Sequence, residues 1–202
     1  MVVENFRLQV TLGLDTCGIL AQISKLHMTI KQIACIQKRG FLLGYFTKKQ
    51  ISFWADNRIL EGYEDFNILE LSLLKNKSDS EILVLIDDFI GTTDLCTKDF
   101  LDEYFLGYCK EVLYSNLADK ETSMNVEKEI LKYHNSLESD FEDDLKLFIS
   151  ILNNDYSLRR NGLNGVIKIP DDLIIFLEPY QKFNEIQSQL NNSGFPFRPS
   201  WS

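Results

Sequence analysis

Ser78-Asp79-Ser80-Glu81-Ile82-Leu83-Val84-Leu85-Ile86-Asp87-Asp88-Phe89-Ile90-Gly91 holds a helix together with both of its ends. Ser78 and Glu81 stand at the two positions of a capping box, in which hydroxyl and carboxylate each satisfy a backbone N–H that the first turn leaves free. Behind them Ile82, Leu85, Ile86, Phe89 and Ile90 recur at i, i+3, i+4, i+7 and i+8, the apolar stripe of a helix lying on a core. Gly91 falls where a residue of positive φ ends such a helix.

The same grammar extends on both sides. Downstream, Thr97 is a cap for a stripe of Leu101, Tyr104, Phe105, Tyr108 and Val112, with Asp102, Glu103, Lys110 and Glu111 expected to face away. A third stripe runs Val126, Ile130, His134, Leu137, Phe141, Leu145, Phe148, Ile149 and Leu152, either as one helix or broken near Ser136–Asp140, where Asn, Ser and Asp compete with the helix backbone. Asn161–Gly165 reads as a loop, and Pro170-Asp171-Asp172 as a helix start. Pro179 kinks that helix or begins a new one, and Phe183, Ile186 and Leu190 carry the last stripe. Upstream, Thr47-Lys48-Lys49-Gln50 is a second capping box leading into Ile51, Trp54 and Ala55. Asp65–Leu74 reads as helical, and Ile30–Phe46 as helical with an interruption at Gly40. Val3–Leu12 fits a helix or a strand equally well.

All four prolines lie at 170 or later, and a long proline-free stretch with sparse glycine favours helices. The fold expected is all-α, a helical bundle, with room for one short strand near the N-terminus or at 166–169. Its organisation divides into an N-terminal helical segment, 1–77, packed on or continuous with the bundle, an acidic helical bundle, 78–192, and a C-terminal tail, 193–202.

Charge is distributed unevenly. Residues 78–155 hold 19 Asp and Glu against 6 Lys, a net of −13, whereas residues 1–77 carry +3 and residues 156–202 carry +1. Glu138-Ser139-Asp140-Phe141-Glu142-Asp143-Asp144 places five acids in seven positions. A surface of that kind repels nucleic acid and attracts basic proteins, although many acidic runs are only solvated helix faces. The basic group Lys38, Arg39, Lys48 and Lys49 is read as an ordinary helical surface, because the net charge of −9 opposes nucleic-acid binding.

No catalytic signature accompanies this pattern. There is no P-loop, no G-x-G-x-x-G and no G-x-S-x-G elbow. The acids lack calcium-loop spacing, and Cys17, His27 and Cys35 lack a zinc spacing. Cys17, Cys35, Cys96 and Cys109 are scattered and do not read as a disulfide framework. Cys96 and Cys109 are expected as free, hydrophobe-like thiols. The first residues have no basic start before an apolar stretch, so no signal peptide is expected. The longest apolar runs, near Phe41–Phe46 and Leu173–Leu177, are too short to span a bilayer.

Residues 82–91, then Asp99-Phe100 and Tyr104-Phe105, are similar to the opening helix pair of the colicin D immunity protein family. Leu145–Tyr156, a loop, and Ile169-Pro170-Asp171-Asp172-Leu173 resemble that family's closing half. Gly44–Ile59 with Glu70–Leu73 looks like bacterial immunity proteins found beside polymorphic toxins, including those of contact-dependent growth inhibition. The resemblance implies a cytoplasmic, non-enzymatic antitoxin that binds a basic toxin domain, a tRNA-cleaving nuclease in the colicin D case, and covers its cleft with acidic residues. This chain is considerably longer, and ends its helical segment in Arg159-Arg160-Asn161-Gly162.

On this reading Glu138, Asp140, Glu142, Asp143 and Asp144 stand in for substrate phosphates, with Asp155 and Tyr156 at the edge. The partner is a basic nuclease domain, with no nucleic acid, membrane, metal or cofactor involved. The alternative is a helical adaptor using an apolar groove, with Phe53, Trp54 and the Phe195–Trp201 tail as anchors. An enzyme with dispersed catalytic residues is a third reading, and would need a deep pocket pairing His134 with a carboxylate.

Overall fold

Thr29 opens the first helix by accepting the Gln32 N–H at its hydroxyl while Gln32 reaches back to the Thr29 backbone. The computed structural model describes residues 28–92, 94, 96–116, 120–136 and 171–199. Within them run α1 (Ile30–Leu42), α2 (Lys48–Leu60), α3 (Phe66–Ser72), a 3-10 turn (Leu74–Asn76), α4 (Asp79–Ile90), α5 (Lys98–Ser115), α6 (Lys120–Asn135), α7 (Asp171–Leu177) and α8 (Phe183–Asn192). Among the described residues there is no strand, and the fold is all-α.

Local chemistry sets most helix starts. Capping boxes close α1 at Thr29, α2 at Thr47 and α4 at Ser78. The Asp65 carboxylate takes the Asn67 and Ile68 N–H groups at the start of α3, and the Thr97 hydroxyl takes the Phe100 N–H at the start of α5. Gly91 ends α4 at φ +63°, a conformation that costs glycine least.

The expected interruption at Gly40 does not occur, for α1 continues to Leu42. The glycine is there for space: a Cβ on it would lie 2.2 Å from the Phe46 ring. Past Pro179 a new helix begins, separated from α7 by the turn at Glu178–Pro179.

α1 packs on α4, α2 on α3, and α3 on α4, while α5 is the hub that meets α1, α6, α7 and α8. One core joins them. Ile82, Ile86, Phe89 and Ile90 of α4, Leu101, Tyr104 and Phe105 of α5, Val126 and Ile130 of α6, and Phe183, Ile186 and Leu190 of α8 are all buried in it, as the periods require. Gly107 lets α8 approach α5 closely, since a Cβ there would stand 2.9 Å from the Phe183 Cβ.

Two further expectations are corrected. Asp102, expected to face solvent, is only 4% exposed, because Tyr133 and Lys98 supply the partners that make its burial tolerable. His134, expected on the apolar stripe as a satisfied or partly buried residue, is half-buried, with Tyr133 in the core position beside it. Cys96 is not free, for it is disulfide-bonded to Cys35 across 61 residues of sequence, with Cα atoms 5.7 Å apart. Folding brings α1 against the link between α4 and α5, a proximity that sequence spacing does not encode. Cys109 is a buried free thiol, as expected.

Candidate functional site

Two helix starts and one helix entry converge on a cleft of about 650 Å³. The first turns of α5 contribute Lys98, Asp99, Asp102 and Glu103, the start of α8 contributes Lys182 and Glu185, and the link before it contributes Tyr180. Met28 closes the α1 side, its N–H donating to Gln189 Oε1 at 2.8 Å. Four carboxylates therefore face two ammonium groups.

Both lysines are already committed. Lys98 Nζ lies 2.7 Å from Asp102 Oδ2, one helical turn away, and Lys182 Nζ lies 3.7 Å from Glu103 Oε1. Glu103 Oε2 also accepts the N–H groups of Gln181 and Lys182, each at 3.2 Å, where a carboxylate complements the positive end of α8. Asp99 and Glu185 remain as surplus negative charge on the rim.

Behind the cleft wall lies a polar seam. The Tyr133 hydroxyl donates to Asp102 Oδ1 at 2.7 Å. Burial, and then the Asp102 carboxylate, raise the Tyr133 phenol well above its ordinary range. At the cleft mouth, burial followed by the charges of Asp102, Glu103 and Asp99 pushes Tyr180 up to about 12. Further in, Tyr45 donates to Glu129 Oε2 at 2.5 Å, with Lys132 standing 4.9 Å from the Tyr45 ring centroid, and Tyr104 donates to Gln187 Oε1 at 3.0 Å.

The cleft is thus negative on balance, four carboxylates against two ammonium groups. Its lining contains no His, Cys, Ser or Thr. His134 lies elsewhere, near the end of α6, with Nδ1 3.4 Å from Asn135 Oδ1. Among the described residues no three of His, Cys, Asp and Glu gather as a metal-holding group, and no helix is long and apolar enough to cross a membrane.

The run Glu138, Asp140, Glu142, Asp143 and Asp144, together with Asp155 and Tyr156, lies outside the described residues. So do Trp201 and the stretch at 166–169. Sequence reasoning missed the cleft because Asp102 and Glu103 were assigned to the outer face of α5 and Glu185 carried no signal. The proximity of the starts of α5 and α8 is what gathers them.

Other central carboxylates meet the basic front segment instead. Lys38 pairs with Asp87 at 2.6 Å and Lys48 with Asp79 at 2.8 Å, while Arg39 donates to the Ser136 backbone oxygen. The basic group read as ordinary surface is thus largely engaged in holding α1 and α2 to the acidic part of the bundle. Of the adaptor anchors, Trp54 and Phe195 are taken up by the core and Phe53 stays about half exposed. Trp54 is fully buried against Phe89, Phe195 is fully buried edge-on to Phe46, and Phe53 rests on Phe197.

No family model, no curated protein and no solved structure matches the chain.

Proposed function

We propose that this chain is a non-catalytic inhibitor of the immunity type, which binds a basic toxin domain and occupies its cleft with carboxylates. The reading is carried by the concentration of charge. Residues 78–155 hold a net of −13 in a chain whose total is −9. Asp102, Glu127 and Glu129 are buried, and Asp79 and Asp87 pair with lysines, so the remaining acids of the segment are the ones that would steer a positively charged protein and occupy sites meant for phosphates. Its contact residues are Glu138, Asp140, Glu142, Asp143 and Asp144, with Asp155 and Tyr156 at their edge. The surplus carboxylates Asp99 and Glu185 extend the same negative field to the α5–α8 cleft.

The test is binding and protection. The toxin-like product of a gene adjacent to this one is co-expressed with the chain, and growth and complex formation are measured. A stoichiometric complex should form quickly at low salt and slowly at high salt, because screening shortens from about 10 Å at 0.1 M to about 3 Å at 1 M. Replacing Glu138, Asp140, Glu142, Asp143 and Asp144 by Lys should slow association and abolish protection without unfolding the bundle. Protection that survives the charge reversal would sink the assignment.

A further inference from the structure

The walls of the α5–α8 cleft are tied by the covalent cross-link of the described residues. Gln32 of α1 and Lys98 of α5 both line the cleft. Cys35 lies one helical turn after Gln32, and Cys96 lies just before Thr97 and Lys98. The Cys35–Cys96 bond therefore joins the α1 wall to the α5 wall.

The two sulfurs are not equally placed. Cys35 is 3% exposed, in the core, whereas Cys96 is only partly buried. Both residues line a second groove, of about 250 Å³, with Lys38, Arg39, Asp87 and Leu101. Lys38 is paired with Asp87. Arg39 is held by the backbone oxygen and hydroxyl of Ser136, both neutral, so the groove keeps a net positive charge. Cys96 also precedes Thr97, the cap of α5, at the positive end of an 18-residue helix. Cations and a helix N-terminus favour a thiolate over a thiol. A disulfide reached from solvent beside positive charge is open to thiolate attack, unlike one sealed in a core.

We propose that Cys35–Cys96 is a thiol–disulfide exchange site, entered at Cys96 by a low-molecular-weight thiol, whose bond sets the spacing of the cleft walls. The incoming thiolate attacks Cys96 Sγ and forms a mixed disulfide. The Cys35–Cys96 bond breaks, and its electron pair leaves with Cys35 Sγ, which takes a proton from solvent. A second thiolate attacks the sulfur of the bound thiol and carries it off as a symmetrical disulfide, while Cys96 leaves as a thiolate. Two small thiols are oxidised and one protein disulfide is reduced. An excess of the small disulfide runs the same steps backwards.

Reduction frees the start of α5 without releasing α1. Lys31 Nζ still donates to the Ile90 backbone oxygen at 2.9 Å, and Lys38 still pairs with Asp87 at 2.6 Å. Ile33, Ala34 and Ile36 remain in the core. α1 thus stays on α4, and the first turns of α5, with Lys98, Asp99, Asp102 and Glu103, gain freedom to move away from Gln32. The exchange site shares no residue with the toxin contacts proposed above.

The test uses the whole chain without denaturant. Reduced and oxidised glutathione in varied ratio set the exchange, and peptide mass analysis after alkylation maps each cysteine. The bond should open and close reversibly across that range while Cys109 stays unalkylated. In oxidised glutathione, Cys35→Ser should carry one glutathione at Cys96, and Cys96→Ser should carry none at Cys35. In amide NMR spectra, reduction should displace the cleft resonances of Met28, Gln32, Asp102 and Glu103 and leave those of α2 and α3 in place. A bond that opens only in denaturant overturns the proposal, and so does glutathione on Cys35 in place of Cys96. Shifts confined to the two cysteines and their chain neighbours overturn it too, because the cleft then ignores the bond. So does loss of the dispersed spectrum, since the bond is then a staple that the fold cannot do without.

Discussion

The front of the molecule, α1 to α4, and the wedge of α5, α6 and α8 are built by different rules. In the front, every helix start is closed by a side chain two or three residues away, as at Thr29, Thr47, Asp65 and Ser78. In the wedge, buried polar groups find partners far along the chain: Asp102 with Tyr133, Tyr104 with Gln187, and Glu129 with Tyr45 of the front. Local caps contribute modestly and singly. Buried polar pairs are costly to break, because each leaves a desolvated partner behind. The wedge should therefore be the part that fails when one side chain is changed, and the front the part that yields by small steps.

The largest effect tests what ties the two regions together. Cys35 of α1 is bonded to Cys96 ahead of α5. For a closed loop of about 60 residues, losing that constraint costs about 4 kcal/mol. Cys96→Ser, or a dithiol reductant, should lower the urea midpoint accordingly, and mass analysis after alkylation should count two additional free thiols in the reduced chain. A midpoint indifferent to reduction would mean that non-covalent packing alone joins front to wedge.

Next comes Asp102. Asp102→Ala strands the Tyr133 hydroxyl and breaks the ion pair to Lys98, for a loss of about 3 kcal/mol. Combining it with Tyr133→Phe should cost less than the sum of the two single changes, which a double-mutant cycle in urea would measure. Additive losses would break the comparison, since the two groups would then not be acting as a pair.

The same wedge should respond to alkali. Burial, above all, raises Tyr45, Tyr104 and Tyr133 above the ordinary value of 10.0. The folded state thus keeps these phenols protonated where the unfolded chain ionises them. Their contribution is whole below pH 10.0 and falls as pH rises beyond it. Thermal melts should be flat up to that point and drop above it, and the Tyr133→Phe variant should drop less steeply.

A smaller change returns to the front. Gly40→Ala places a methyl group where the buried Phe46 ring already lies, 2.2 Å away, at a cost of about 2 kcal/mol for overpacking. A neutral result would mean that Phe46 and Phe195, which meet edge-on with centroids 5.1 Å apart, can shift together.

Much of the front was legible in the amino-acid sequence for the reason that makes it robust. The boxes at Thr47 and Ser78 and the stripe from Ile82 to Ile90 are patterns within one or two turns, as is the wedge's own cap at Thr97, and periodicity reads them directly. The box at Thr29 has the same form but begins a segment whose register Gly40 obscured. The candidate cleft was not legible. Asp102 sits among polar neighbours on α5, and only the arrival of Tyr133 from α6 explains why it points inward. Cys35 and Cys96 share no motif, and the exposure of Leu60, Phe66, Leu69 and Leu73 has no sequence signal, since periodicity marks an apolar face without saying whether anything covers it.

The smallest effect is the sharpest test of the front. Thr47→Ala removes the hydroxyl that takes the Gln50 N–H at 3.3 Å, and should cost about 1 kcal/mol in urea or heat. Gln50 Oε1 would still take the Thr47 backbone N–H, at 2.7 Å in the native chain, so half of the box survives. Asn at the same position restores an acceptor and should recover most of the loss. Since Ile51, Trp54 and Ala55 on the first turns of α2 are fully buried, packing holds the helix even when its cap is gone. If Thr47→Ala instead cost as much as Asp102→Ala, the start of α2 would be a cooperative element of the core, and the division between a locally coded front and a mutually dependent wedge would have to be redrawn at the α1–α2 turn.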